Sequence, residues 1–435
     1  LSRTIAIVGL GYVGLPLAET YMDQGFHVIG VDKDESKLKL LSEGRSYIAD
    51  VPESKIRHYV QTRQLEVSPK YSSIATAEAI IMCVPTPLNP QHEPDMDYLI
   101  EASRDISGHL KAGQLVALES STYPGTTREV ILPLLEQSGL RIGEELFVGF
   151  SPERVNPGSR RYTLQEIPKI VSGITSACAD RTEELYQAAF HKVVRVSSTE
   201  TAEMAKLLEN TFRFVNISFM NEFAMLCDRL GINVWEVVEA ASTKPFGFTA
   251  FYPGPGVGGH CIPVDPLYLQ WKARQLEADS TFIEASTRIN RSMPAYVVSR
   301  IKQTMEDSML EGKRIMVLGV TFKEDVADIR ESSSIEMIRL LMAAGAQVEY
   351  HDPLVPNLQE SGLELTSVQL DTERLAAADC VLLAVHHKGL PLDRVAAHAS
   401  LVFDTRNALR GRQGKAKIIA LGDGTSGHFK YSDKS

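Results

Sequence analysis

Apolar residues in the first 150 positions fall into short runs separated by amphipathic stretches. The runs TIAIVGL (4–10), HVIGVD (27–32), AIIMCVP (79–85), QLVALES (114–120) and ELFVGFSP (145–152) are rich in β-branched residues and predict strands. Between the first two, LPLAETYMDQG (15–25) is apolar at helical spacing and stops at a glycine. Strands alternating with helices predict βαβ units around a parallel sheet. From about Ser198 the texture changes. TETAEMAKLLENTFRFVNISFMNEFAMLCDRLG (199–231) is one long apolar-periodic pattern closed by Gly231, with Thr199 and Thr201 as candidate caps. IEASTRINRSMPAYVVSRIKQTM (283–305) continues the theme, Pro294 marking a kink or a fresh helix start. After the turn-rich LEGK (310–313) the β/α alternation resumes in RIMVLGV (314–320), QVEYHDP (347–353), DCVLLAV (379–385) and LVFDTRN (401–407). The pattern predicts an α/β fold class: two Rossmann-like doubly wound parallel-sheet domains, 1–198 and 306–435, joined by a central helical domain, 199–305. The tail 422–435 has no periodicity and is expected to fray.

Composition narrows the partners. A chain of 435 residues exceeds one compact core, at about 100–200 residues per domain. Its formal charge of -10 argues against a nucleic-acid binder, which would concentrate Lys and Arg, yet leaves room for a small anionic ligand. No apolar run approaches the roughly 20 residues of a membrane helix, so a soluble chain with no membrane partner is expected. Residues 1–18 carry one Arg ahead of an apolar stretch, as a signal peptide would, but the glycine spacing has a better explanation and no export signal is read. The five cysteines are odd in number, scattered and without a CxxC pair; neither a disulfide framework nor a zinc cluster is implied, and a reduced, cytoplasmic chain is expected.

GLGYVG (9–14) matches G-x-G-x-x-G directly after a predicted strand and at the opening of a predicted helix. Gly9 would allow the tight turn, Gly11 the approach of a pyrophosphate and Gly14 close helix–strand packing, with Tyr12 and Val13 lining the same turn; the helix N-terminus supplies N–H donors. The next strand ends in VDKD (31–34), which puts Asp32 where a carboxylate would take the ribose hydroxyls of NAD; Lys33 beside it leaves NADP open. VPTP (84–87) and STYPGTT (121–127) follow two more strands, so Pro85, Thr86, Ser121 and Thr122 either make turns or line the ligand crevice of an open sheet.

PGPGVGGHCIPVDP (253–266) places one cysteine, Cys261, in a loop with four glycines and three prolines between 253 and 263. Packing is the ordinary fate of cysteine, but such a loop offers little to pack against, and adjacent His260 and Cys261 make a poor metal site. A nicotinamide site alone needs only a base to oxidise an alcohol. A thiolate adds more: it captures the aldehyde as a hemithioacetal, which yields a second hydride and becomes a thioester that water frees as a carboxylate. Together these predict a four-electron oxidation, primary alcohol to acid.

GLGYVGLPLA (9–18), SPERVNPG (151–158), EMAKLLENTFR (203–213), PGPGVGGHCIPVDP (253–266) and GVTFKEDVADIRES (319–332) resemble the UDP-glucose/GDP-mannose 6-dehydrogenase family, in the family's order and over nearly the whole chain. The resemblance implies an N-terminal NAD-binding domain, a central dimerisation domain and hence a homodimer or higher homo-oligomer, a C-terminal domain for the sugar nucleotide, and oxidation of the sugar C6 with two NAD consumed. It assigns Cys261 as nucleophile, Lys206 and Asn210 to the oxyanion or a water, Asp265 with Lys206 as base for the alcohol step, Glu153 as base for thioester hydrolysis and Thr122 to that water or the cofactor. Arg154, beside Glu153, Phe322, Lys323 and Arg406 resemble substrate contacts, Arg330 a contact near the cofactor phosphates. Lys206 and Asn210 lie four apart and share a helix face, which otherwise reads as a solvated pair; Asp265 otherwise starts a turn. Phe251, Tyr252, Gly256 and Gly258 suit close approach around sugar and diphosphate. The stretch 244–261, with His260 ahead of the cysteine, looks most like the branch acting on UDP-N-acetylhexosamines, UDP-N-acetylglucosamine first. UDP-glucose and UDP-N-acetylmannosamine remain alternatives, as do a two-electron β-hydroxyacid-type dehydrogenase and a non-catalytic NAD- and UDP-sugar-binding sensor. The long apolar helix at 199–231 suits a partner face or an intrachain core equally.

Overall fold

In the computed structural model, which describes residues 3–48, 50–155, 162–307, 309–360 and 362–425, each of the five strands predicted by the β-branched runs of the first third forms where its run places it. The eight strands are β1 Thr4–Val8, β2 His27–Val31, β3 Leu65–Ser68, β4 Ala79–Met82, β5 Gln114–Leu118, β6 Leu146–Phe150, β7 Lys169–Gly173 and β8 Val193–Arg195. They make one sheet in the order β3-β2-β1-β4-β5-β6-β7-β8. All neighbours pair parallel except β6 and β7. Both faces are covered, which is why the strands read as unbroken apolar runs rather than alternating ones. Ile5 and Ile7 of β1 pack into one core with Leu15, Leu17 and Tyr21, and Ala6 and Val8 into another with Ile80 and Leu99. Helix Gly14–Asp23 ends at Gln24, and Gly25, at φ 81°, turns the chain back into β2. Three strands of this sheet lie outside the sequence expectation, β3, β7 and β8. Each is interrupted by charged or small polar residues, in LEVS, KIVSG and VVR, so none reads as an unbroken apolar run.

The chain divides into two compact units, residues 1–210 with 264–279 and residues 211–263 with 280–435. In the second, β9 Arg314–Leu318, β10 Gln347–His351, β13 Cys380–Leu383, β14 Leu401–Asp404 and β15 Lys417–Ala420 form a parallel sheet in the order β10-β9-β13-β14-β15, with β11 Asn357–Glu360 and β12 Leu363–Thr366 as a separate antiparallel pair. Alternate residues of β9 again enter two cores: Ile315 and Val317 one, Met316 and Leu318 the other.

The helical middle is built as its periodicity predicts, with two corrections. Helix Thr199–Leu230 runs 32 residues and stops at Gly231, φ 73°. Ser198 rather than Thr199 or Thr201 serves its N-terminus, its Oγ accepting from the Thr201 N–H at 3.1 Å. Helix Thr281–Thr304 passes through Pro294 without a new start. Pro294 has no N–H for the Asn290 carbonyl four residues back, which frees that carbonyl. Helices Val234–Ser242 and Asp265–Gln275 complete the middle. Of the tail 422–435, expected to fray, residues 422–425 are instead held, the Gly422 carbonyl accepting from the Val234 N–H at 2.8 Å and the Gly424 N–H donating to Asp228 Oδ1 at 3.1 Å; 426–435 and the end of SPERVNPG, 156–158, lie outside the described residues.

Candidate active site

The glycine turn sits where the strand order reverses, between β1 and β4, the position at which open α/β sheets bind ligands. Gly9 takes φ 92°, and a Cβ on it would lie 2.6 Å from the carbonyl oxygen of Cys83, at the end of β4. A Cβ on Gly14 would lie 1.8 Å from the Gly9 carbonyl oxygen. These two glycines are demanded by packing. Gly11 is not: a Cβ there would meet nothing within 4 Å among the described residues, so its bareness leaves room for something other than protein. Tyr12 is exposed and Val13 half-buried on the same turn. Asp32 Oδ2 accepts from the Leu10 N–H at 2.8 Å and Oδ1 from the Asp34 N–H at 2.9 Å, so this carboxylate braces the glycine turn from the end of β2. Lys33 turns aside to an ion pair with Glu101, leaving Lys37, 3.8 Å from Asp32, as its nearer cation. The loops after β4 and β5 are tied by Ser120 Oγ, which donates to the Val84 carbonyl at 2.7 Å. Thr86 is buried, its carbonyl accepting from the Tyr268 hydroxyl, while Pro85 is exposed and Ser121 half-buried. The Thr122 hydroxyl is buried with no hydrogen-bond partner among the described residues. A buried, unsatisfied hydroxyl after β5 and an open glycine turn after β1, both at strand ends of one sheet, fit a dinucleotide or its water.

One face of helix Thr199–Leu230 carries three polar groups into the same unit. Glu203, fully buried, accepts from the Gly125 and Thr127 N–H groups at 2.6 and 2.9 Å and from the Thr127 hydroxyl at 2.7 Å, fixing the loop after β5. Burial pushes its carboxyl up to about 7 against those donors. One turn on, Lys206 is 7% exposed, which few lysines are without a role. Asn210 Nδ2 donates to Asp265 Oδ2 at 2.6 Å, at the first turn of helix Asp265–Gln275. Asp265 is 1% exposed, and its burial raises the carboxyl to about 6 despite the pull of Lys206 and the Asn210 bond. Lys206 also acts on Glu153. Glu153 Oε1 accepts from the Arg154 and Val155 N–H groups at 2.5 and 2.6 Å, and Oε2 from Lys169 at 3.0 Å. Burial would raise Glu153, but Lys169, Lys206 and the backbone donors hold it below the usual carboxylate range. Arg154 is engaged by Glu209, at 2.6 Å, and by the Pro168 carbonyl, at 2.7 Å.

In the second unit the glycine-proline loop is pressed against protein at nearly every step. The Gly254 N–H donates to Asn221 Oδ1 at 2.9 Å, and a Cβ there would strike Arg406 Nη1 at 2.7 Å. Asn290 clamps Val257 from both sides, through its N–H at 2.7 Å and its carbonyl at 3.1 Å. Gly256 faces Ser333, while Gly258 and Gly259 face Phe322 and the Glu331 backbone. Phe322 and Arg406 therefore meet this loop, with half-buried Lys323 on the Phe322 turn. Burial lowers the Arg406 guanidinium from its ordinary value. The Arg330 carbonyl accepts from the Gly259 N–H at 3.1 Å, and its guanidinium turns to Asp328. Tyr252 stacks on Trp235 at 5.9 Å, and Phe251 meets Phe212 edge-on at the same distance. Cys261, at the end of the loop, is exposed, whereas Cys83, Cys178, Cys227 and Cys380 are buried.

Sequence reasoning missed Glu119, Lys169, Glu203, Asn221 and Asn290. A buried Glu or Lys leaves no mark on a strand end, and the two asparagines read as polar positions on helices. The one available signal was Asn290 four residues before a mid-helix proline.

Fold and site define a dinucleotide-dependent oxidoreductase. Three family models for the UDP-glucose/GDP-mannose dehydrogenase family match consecutively: the NAD binding domain over residues 3–190, the central domain over 200–292 and the UDP binding domain over 316–411. The chain belongs to the UDP-glucose/GDP-mannose dehydrogenase family and is an NAD-dependent UDP-sugar dehydrogenase acting on a CH–OH group. It is 39% identical to Protein CapL of Staphylococcus aureus, over 89% of this chain and 91% of that protein. It is 37% identical to a UDP-N-acetyl-D-glucosamine 6-dehydrogenase of Pseudomonas aeruginosa, over 88% and 90%. The solved UDP-D-ManNAc dehydrogenase of Pyrococcus horikoshii superposes with a TM-score of 0.87 at 29% identity, over 97% of this chain and all of that one. No helix among the described residues is long and apolar enough to cross a membrane.

Proposed function

We propose that the protein oxidises the C6 alcohol of UDP-N-acetylglucosamine to the uronic acid through a thioester on Cys261, consuming two NAD. The observation that carries the reading is the Lys206–Asn210–Asp265 cluster, buried at its lysine and aspartate, which supplies an ammonium, an amide and a carboxyl raised to about 6 in one unit. A carboxyl tuned toward neutrality is suited to take a proton from an alcohol, directly or through a water. NAD, when bound, accepts a hydride from the substrate carbon in each of two oxidations. Lys206 and Asn210 stabilise the developing oxyanion. Cys261 lies four residues before Asp265, so the covalent chain alone keeps their Cα atoms within about 14 Å. Its exposure leaves the sulfur accessible to an aldehyde. Glu153 takes the proton of the water that opens the thioester, and Thr122, with its unsatisfied hydroxyl, orients that water or the cofactor. Phe322, Lys323, Arg406 and the loop 251–258 bind the sugar nucleotide; Gly9 to Gly14, Asp32, Pro85, Thr86, Ser121 and Arg330 bind NAD. The N-acetylglucosamine assignment is supported by the 37% identical Pseudomonas enzyme named for that substrate.

We further propose domain limits near 198 and 305, and a homodimer. Met204, Leu208, Phe212, Phe219, Leu226 and Leu230 are all exposed and recur at four- and seven-residue spacing along helix Thr199–Leu230, an apolar stripe distinct from the face that buries Leu207, Phe214 and Ala224. Incubation with UDP-N-acetyl-glucosamine, -galactosamine and -mannosamine and with UDP-glucose, counting NADH per sugar, tests the chemistry. Two NADH and a carboxylate product from the glucosamine substrate are expected. A limiting yield of one overturns the thioester route, and faster turnover of another sugar overturns the substrate assignment.

A further inference from the structure

Behind Glu153 lies a charged cluster that the reaction as described does not use. Lys169, the first residue of β7, is 2% exposed and donates to Glu119 Oε2 at 2.8 Å and to Glu153 Oε2 at 3.0 Å. Glu119, just past β5, is 1% exposed, and its other oxygen accepts from the Tyr186 hydroxyl at 2.5 Å. The ammonium also stands 5.6 Å over the Tyr186 ring and 5.3 Å over Phe190, which seal it from water on that side. Buried lysines are normally matched one to one. Here two buried carboxylates share one ammonium, so with both ionised these three groups alone carry one negative charge in excess, and Lys206 acts on them from the Glu153 side. Such a cluster binds a single proton more readily than a simple ion pair, and adding that proton leaves a neutral pair behind.

We propose that Glu119 is a positioning residue for thioester hydrolysis: by sharing Lys169 with Glu153, it keeps Glu153 from being locked into a one-to-one ion pair and so sets how readily Glu153 takes a proton from the attacking water. The inference rests on the reading of Glu153 as the base. In the step concerned, the water proton passes to Glu153, the water oxygen bonds to the thioester carbonyl carbon, and the C–S bond breaks with the electron pair leaving on sulfur. The proton that arrives at Glu153 cancels the excess charge of the cluster, a stabilisation available only once the proton moves. Burial raises Glu119 to about 7, partly offset by Lys169 and reinforced by Glu153, while Glu153 lies low, so below about pH 7 the resting cluster holds its proton on Glu119 and the sharing of Lys169 is complete only above it. The other titratable groups acting on the cluster are Tyr21 and Cys83, both raised by burial and neutral near pH 7, Tyr186, likewise neutral, and Lys206, the second cation acting on Glu153. None of them substitutes for the charge of Glu119.

The test follows decay of the covalent sugar adduct on the full-length enzyme against pH, by acid quench and intact-protein mass spectrometry. Glu153→Gln should abolish the acid limb of the decay and let the adduct persist; if the limb survives, Glu153 is not the base and the reading of the site fails. Given that result, Glu119→Gln should move the limb to lower pH by about one unit and slow decay on its plateau roughly 3- to 10-fold, because the base is then paired one to one and weaker. Lys169→Met should move it the other way, and Lys169→Arg should restore it. A loss of packing would not give opposite shifts. An unmoved limb, or one moved upward in Glu119→Gln, overturns the inference while leaving Glu153 in place. Should Lys169→Met fail to fold, or no adduct form, the infrared carboxyl band that Glu153→Gln removes is titrated in the resting protein. Its midpoint must fall in Glu119→Gln, and a midpoint unchanged or raised overturns the inference.

Discussion

Replacing Asp265 with asparagine should make the protein more stable and less active, with a pH dependence that identifies the cause. Asp265 is 1% exposed, and burial raises its carboxyl from 3.8 to about 6. A folded-state value above the unfolded one means that the folded protein holds the proton more tightly. The contribution is fully present below the unfolded value near 3.8 and is lost as pH rises through about 6. At about 1.4 kcal/mol per pH unit, ionised Asp265 costs the folded state about 3 kcal/mol at pH 8. Asparagine keeps the size of the side chain and can still bond Asn210, but has no charge to desolvate. The variant should match wild type near pH 4 and gain up to about 3 kcal/mol by pH 8, a shift of about 6–12 °C for a unit of roughly 200 residues. Thermal unfolding of the NAD-free protein from pH 4 to 8 reads this difference, and NADH formation from the UDP-sugar reads the activity, which should fall by about 100-fold or more without its base. An Asp265→Asn enzyme no more stable than wild type at pH 8 would refute the electrostatic reasoning, and undiminished turnover would refute the catalytic role.

The two crowded glycines and the open one should separate cleanly. Gly14→Ala forces a Cβ to 1.8 Å from the Gly9 carbonyl oxygen and should lower the melting temperature by many degrees, whereas Gly11→Ala should melt like wild type yet bind NAD about 10-fold more weakly, as measured by fluorescence titration. Cys261→Ser, at an exposed loop position, should keep its melting temperature and lose the carboxylate product on mass analysis; wild-type yield would exclude the thioester. Arg406→Ala should raise KM for the UDP-sugar about 10-fold with kcat little changed, since Arg406 lines the loop rather than the reacting groups; an unchanged KM would remove it from the binding surface.

What could be read in the sequence was whatever the backbone imposes on spacing. Gly9 and Gly14 were legible because a turn at positive φ and a carbonyl at 1.8 Å admit nothing else, and those constraints recur at fixed offsets from a strand. That Lys206 and Asn210 share a face was legible because a helix keeps residues four apart together, while their roles were suggested only by the family resemblance. Lys169 was not. It opens a short strand, KIVSG, where a lysine ordinarily points to water, and its partners lie 50 and 16 residues away, at the ends of β5 and β6. That ammonium owes its place to pairing across a sheet whose one antiparallel pair, β6 against β7, carries no local signal.

The same contrast explains how the first unit divides its labour. Glu203, Lys206 and Asn210 are three and four residues apart on a single rigid helix, so their mutual spacing is set by helix geometry alone. Each engages a different partner: the loop after β5, the carboxylate after β6, and the first turn of helix Asp265–Gln275. The loops can then differ in length and chemistry while one element holds their functional atoms in register, which is what precise positioning of reacting groups requires. Glu203 binds no reacting group, yet it fixes the loop that presents Thr122 relative to Lys206. A change there therefore acts on the Thr122 hydroxyl and the Lys206 ammonium together, through the helix rather than through contact with either.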